Sequence, residues 1–191
     1  VAHATLSPSA GMADAVRDEW DPKLAGKHLV SAHIRLGPRH TSNYVMLDQR
    51  GVATAFSCLD RLLKDDKDWV LFLATDSPEV RVAARKRWGN RVLAQDAPIA
   101  HTGEQHALRG VPAVDQEGKT RGALAVRGAM LDWWLLGEAE HFLVSDKSSF
   151  GYSAVARAVF NSSVLPMTVS NRGDGCARRV WEGHRCGASA C

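Results

Sequence analysis

No apolar run in the chain is long enough to cross a bilayer, which excludes a membrane-spanning helix within these residues. No charged and apolar leader of the signal-peptide kind opens it at Val1, so the expectation is a soluble piece, processed or excised from something longer. Long runs of one charge are also missing. The 24 Lys and Arg are nearly balanced by 21 Asp and Glu, and Arg81, Arg85, Lys86, Arg87, Arg178 and Arg179 stand singly or in short groups among acids. That scatter reads as solvated helix faces and argues against a nucleic-acid partner. Repeats and low-complexity segments are absent too. What is left is 191 residues of ordinary globular composition, 45% hydrophobic, enough for one large core.

The common catalytic signatures are lacking. Without GxSxG, HExxH, a P-loop or a strand-following GxGxxG, hydrolase, zincin, kinase-like and dinucleotide readings lose most of their support. No Asp-x-Asp pair is suited to holding a metal against a diphosphate, so no metal site is expected. A bound diphosphate would have to be neutralised by arginine and helix dipoles.

Cysteine is scarce and unevenly placed: Cys58 stands alone, while Cys176, Cys186 and Cys191 crowd a tail, NRGDGCARRVWEGHRCGASAC, too poor in apolar residues to build a core. A Cys176–Cys186 disulfide closing a short loop is expected to tie the tail down, with a zinc site using His184 and these cysteines as the rival reading. Asn161 opens an N-glycosylation acceptor, Asn161-Ser162-Ser163. Together these point to an oxidising setting, the secretory pathway (Golgi lumen) or the extracellular space.

What is present is alternation of strand and helix patterns. Residues 1–27 predict little beyond a short helix near 12–20 that Pro22 stops. Residues 28–36, HLVSAHIRL, predict a strand ended by Gly37-Pro38, and 51–64 carry apolar residues at helical spacing. WVLFLA at 69–74 is a short continuous apolar run, as a central parallel strand should be. Thr75-Asp76-Ser77-Pro78-Glu79 then starts a helix over 78–88. Further strands are predicted at 91–95, 141–144 and 164–169, helices at 119–137 and from Ser149 or Phe150, and a long loop at 96–118. The fold class is therefore α/β with a mostly parallel sheet, divided into an extension (1–27), a Rossmann-like domain (28–170) and a Cys-rich tail (171–191).

In such sheets ligands sit outside the carboxyl ends of the strands. Polar clusters fall there at 35–40, 75–77, 96–118 and 145–149. Arg35 offers a planar fork of donors matched to phosphate, or else pairs with Asp76 from the neighbouring strand end. His33, two residues earlier on the same face, is either a ligand contact or a hydrogen-bonded core residue. Asp76 can accept from a ribose hydroxyl or a base amine, or cap the helix begun by Pro78. Ser148 and Ser149 can hold phosphate at a helix start, or one of them is only its cap. Asp132, beside two tryptophans on an apolar helix, needs a partner.

Three stretches in order, HIRLG at 33–37, FLATDSPEV at 72–80 and DWWLLGEAEHFLVSDKSSFGY at 132–152, resemble the motifs of the GDP-fucose-dependent fucosyltransferase superfamily, which includes α1,2-, α1,6-, protein O- and plant xyloglucan enzymes. The resemblance spans residues 28–160. It implies the nucleotide-sugar lobe of a GT-B glycosyltransferase, inverting and metal-independent, with GDP-fucose as donor substrate and no cofactor. By the same resemblance Arg35 is catalytic, neutralising the β-phosphate as the leaving group departs. His33 contacts the nucleotide, Asp76 lies near the guanosine, Ser148 and Ser149 hold the diphosphate, and Asp132 is structural or guanine-facing. The implied partners are a glycan or glycoprotein acceptor and another chain supplying the missing lobe. The alternative is a catalytically silent relative acting as an extracellular structural or glycan-binding protein, motivated by the chain's length, Pro38, the cysteine-rich tail and the sequon.

Overall fold

The computed structural model describes residues 9–37, 46–64, 67–95, 121–146, 148–159, 167–171 and 176–178. Asn161, His184, Cys186, Cys191 and the predicted 96–118 loop lie outside them.

Six strands form one sheet: β1 (His28–Ile34), β2 (Trp69–Thr75), β3 (Val92–Leu93), β4 (His141–Ser145), β5 (Met167–Val169) and β6 (Ala177–Arg178). Their order is β3-β2-β1-β4-β5-β6, with β1 to β5 mutually parallel and β6 antiparallel on the edge. β1 and β2 pair along their whole length, from His28 opposite Trp69 to Ile34 opposite Thr75. Every residue of β2 is buried, the consequence of its unbroken apolar run lying inside a sheet covered on both faces.

Strand parity divides the core in two. Val30, Ala32, Ile34, Leu71, Leu73 and Leu143 face α3 (Gln49–Leu63) and α4 (Pro78–Trp88). Leu29, Val70, Phe72, Ala74, Phe142 and Val144 face α5 (Arg121–Leu136) and α6 (Ser149–Val159). α3 begins two residues before its predicted start because Asp48 caps it, accepting from Gly51 N at 2.8 Å. α4 has its predicted bounds, with Ser77 as cap and Pro78 in the first turn, where no N–H is needed.

The N-terminal prediction needs correction. Instead of one helix stopped at Pro22, α1 (Ala10–Ala15) widens into a π turn over Val16–Trp20 and restarts as α2 (Asp21–Leu24). Pro22 sits in that new first turn, a position that tolerates it. Trp20 is 2% exposed and meets Phe72 edge-on at 5.4 Å, so this segment closes the second core face.

The disulfide prediction also fails. Cys176 is bonded to Cys58, 118 residues away, and not to Cys186. β6 folds back along β5, and α3 packs against β5, which brings Cys176 over the inward-facing Cys58. Proximity in space overrides proximity in sequence, and a sulfur makes only one such bond. Because the bridge closes so long a loop, replacing Cys176 with Ser is expected to cost about 2–4 kcal/mol. Denaturant midpoints of the oxidised chain and Cys176→Ser would measure this, and non-reducing peptide mapping should recover Cys58 joined to Cys176.

Candidate functional site

The sheet order reverses between β1 and β4, since the chain runs outward through β2 and β3 and then returns to β1's other side. That is where an open α/β sheet leaves a crevice at its carboxyl end. The two strands pair as far as His33 opposite Val144 and then part. Asp146 N turns to Val169 O of β5 at 2.8 Å. On the other side Arg35 N is received by the side chain of Ser145, at 2.8 Å, and the same hydroxyl donates to His33 O at 3.1 Å. A serine ending the apolar strand HFLVS thus replaces a ladder bond. Sequence reasoning placed Ser145 in the hydroxyl-rich turn without giving it this role. The signal was a lone polar residue at the end of a buried strand.

Asp76, just past β2, grips the turn that follows β1. Its Oδ1 accepts from Leu36 N at 2.8 Å, and its Oδ2 accepts from Gly37 N at 2.9 Å and faces Arg35 Nε at 3.3 Å. Gly37 has φ 89°, the left-handed region that suits glycine, which accounts for the glycine in HIRLG. Asp76 does not cap α4. Ser77 does, accepting from Val80 N at 3.3 Å and donating to Glu79 at 2.7 Å.

Across the crevice α6 starts. Ser148, 3% exposed, is its cap: Oγ accepts from Gly151 N at 3.4 Å and the carbonyl from Tyr152 N at 3.0 Å. Ser149 is exposed in the first turn, where Ser149 and Phe150 N–H have no acceptor within the helix. The positive end of the macrodipole lies at the same place.

His33 lies beneath this turn, 5% exposed, its ring 5.2 Å from that of Phe150. A Cβ on Gly151 would come 2.8 Å from His33 Nδ1, so helix and strand approach closely only because that residue is glycine. Nδ1 is buried without a hydrogen-bond partner. Burial first, then the charge of Arg35, lowers the His33 pKa to about 3, so the imidazole is neutral at physiological pH.

Asp132 stands apart. It accepts from Gln95 Nε2 at 2.7 Å, just beyond β3, which puts it two strands away from the β1–β4 crevice. Burial raises its pKa to about 7, opposed by the Gln95 hydrogen bond and the charge of Arg81. The tryptophans that follow it serve packing. Trp133 Nε1 donates to Ser153 Oγ at 2.9 Å, and Trp134 carries the Arg157 guanidinium 3.9 Å above its ring. The structure therefore brings Arg35, Asp76, Ser148 and Ser149 to one end of the sheet, sets His33 beneath them, and places Asp132 elsewhere.

Among the described residues no group of three or more His, Cys, Asp and Glu is arranged to hold a metal, and no helix is long and apolar enough to cross a membrane. A groove beside Arg50, Thr54, Ser57 and Arg61 lies along α3 and includes no strand-end residue.

A doubly wound sheet with an arginine and a helix start at its switch point defines a Rossmann-like domain. The solved structures that share the fold include fucosyltransferase NodZ from Bradyrhizobium, with a TM-score of 0.53 at 15% identity over 83% of this chain and 43% of that one. NodZ α-1,6-fucosyltransferase co-crystallised with GDP gives 0.50 at 15% identity, covering 82% of this chain and 43% of that one. The same enzyme soaked with GDP-fucose gives 0.51 at 15% identity, covering 82% and 44%. The chain thus spans less than half the length of these structures, and the likeness shows the fold, one lobe of the GT-B kind. No family model and no curated protein sequence matches the chain.

The two perturbed groups give opposite pH dependences. His33 protonates near 6.5 when unfolded but only near 3 when folded, so stability falls as pH drops through that window, by about 1.4 kcal/mol per unit at most. Asp132, raised from 3.8 to about 7, contributes stability that is lost as pH rises between those values. Because the two windows overlap, the slopes largely cancel in the parent, so urea midpoints from pH 4 to 8 should show His33→Gln losing stability as pH rises toward 7 and Asp132→Asn losing stability as pH falls below about 6.5. Unchanged slopes would refute both assignments.

Proposed function

We propose that the chain is the donor-binding lobe of a GDP-fucose-dependent fucosyltransferase that transfers fucose to a glycan or protein acceptor, inverting and without a metal. The observation that carries this reading is the placement of Arg35 at the switch-point crevice, opposite the first turn of α6. As the bond from the sugar's anomeric carbon to the phosphate oxygen breaks, its electron pair stays on that oxygen and negative charge grows on the diphosphate. Arg35 and the free amides of the helix start would stabilise that growing charge, and being fixed beforehand they need no reorganisation. Ser149, exposed at the same turn, adds a hydroxyl donor, and Ser148 contributes by capping the helix that presents the amides. The fold's likeness to one part of NodZ supports a two-lobe enzyme in which another lobe or chain binds the acceptor. The disulfide from Cys58 to Cys176 favours an oxidising compartment, the secretory pathway or the extracellular space.

Isothermal titration with GDP and GDP-fucose should show saturable binding, unchanged by EDTA. Arg35→Ala should weaken it roughly tenfold to a hundredfold, the size of a lost charge-assisted contact. No binding at millimolar ligand, or an Arg35→Ala variant matching the parent, would overturn the proposal. Binding without fucose transfer, even with an acceptor lobe supplied, would assign the silent reading instead.

A further inference from the structure

We infer that Asp76 and Ser145 are positioning residues, which hold Arg35 in the crevice from its two flanking strands and touch no part of the ligand. The nature of the ligand rests on the donor-lobe reading; the brace rests on geometry alone.

Arg35 is the first residue past the end of β1, beyond the last ladder pair, so the sheet itself does not fix it. Ser145 fixes its main chain. The one proton of that hydroxyl goes to His33 O, an acceptor site takes Arg35 N, and the residue is 0% exposed, which leaves no surface for a ligand to meet. Asp76 fixes its side chain and the two residues after it. Both carboxylate oxygens are engaged, one by Leu36 N and the other by Gly37 N and Arg35 Nε, and the side chain is only 9% exposed. Three of the carboxylate's roughly four acceptor sites are thus taken within the protein, and its low exposure leaves little surface for a ribose hydroxyl or base amine. The pairing through Nε uses one of the five guanidinium donors, and the four on the Nη atoms are the ones whose fork suits a phosphate.

The sign of one effect separates this idea from simple electrostatics. An acid beside Arg35 repels a diphosphate, so if charge alone mattered, Asp76→Asn would tighten binding. If Asp76 positions Arg35, the same change loosens it, because an asparagine NH2 cannot accept from the turn's amides.

The test titrates GDP and inorganic pyrophosphate into the full chain and its Asp76→Asn, Ser145→Ala, Arg35→Ala and Asp76→Asn/Arg35→Ala variants, well below their melting temperatures. Asp76→Asn and Ser145→Ala are each expected to weaken both ligands by a similar factor, roughly tenfold. In the Arg35→Ala background Asp76→Asn should cost no further affinity, a non-additivity that a merely structural loss would not produce. Tighter binding, an additive loss, or a loss for GDP with none for pyrophosphate would overturn the proposal. Hydrogen exchange reads the brace without any ligand: the Leu36 and Gly37 amides should be protected in the wild type and exchange faster in Asp76→Asn. If the wild type binds neither ligand, the donor-lobe reading fails and exchange alone decides the brace. Should Asp76→Asn not fold, unprotected wild-type amides, or pyrophosphate affinity unchanged in Ser145→Ala, would still overturn it.

Discussion

A parallel strand buried on both faces has nowhere to put a charged side chain except where its ladder stops. β2 shows the limit, with every side chain from Trp69 to Thr75 buried and its one acid, Asp76, immediately after. The same constraint pushes Arg35 just past β1, and β4 ends on Ser145. Chemistry collects at one end of this sheet because the core excludes it elsewhere. The reversal of strand order between β1 and β4 then decides which strand ends face a shared crevice.

The helix that faces Arg35 is held from behind by an arrangement the motif DWWLLG encodes. Arg157 of α6 donates to Trp134 O, among the last carbonyls of α5, at 2.6 Å and to Glu138 at 2.9 Å while lying over the Trp134 ring. A cation at a helix C-terminus opposes that helix's dipole, so the contact ties α6 to α5 through backbone charge as well as through packing. A Cβ on Gly137 would meet Arg157 Nη2 at 2.6 Å, so the glycine makes room for the guanidinium. Ser31, polar inside β1, donates to Leu136 O at 2.9 Å and satisfies another orphan carbonyl of the same helix end. The Trp133–Trp134 pair is thus part of the support of the site and not of its lining.

The fold was legible where local signals and tertiary packing agree. WVLFLA reads as a central strand because nothing but burial on both faces suits it, and Ser77-Pro78 marks α4 because cap and first-turn chemistry act within a few residues. Reading failed where the deciding partner is remote. Cys176 finds Cys58 and not its near neighbour because β6 folds back along β5, against which α3 packs. Pro22 looked like a stop because a sequence does not show that a helix restarts one residue earlier. Asp76 was open to reading as a nucleotide contact, a cap or the partner of Arg35, and the Arg35 pairing is present. Its other partners, Leu36 and Gly37, lie about forty residues upstream, and only the β1–β2 register brings them together.

The central place of β1 also bears on the order in which the chain acquires structure during synthesis. One edge of β1 is covered by β2 soon after it emerges, but the residues that cover the other edge, ending at Ser145, lie 112 positions beyond His33. At ribosomal speeds of about 5–20 residues per second, that edge waits on the order of ten seconds for β4. During that interval an apolar strand with unpaired backbone groups is open to any other extended chain. The switch point that gives the finished molecule its crevice is therefore, in the nascent one, an edge left open to mispairing until β4 arrives.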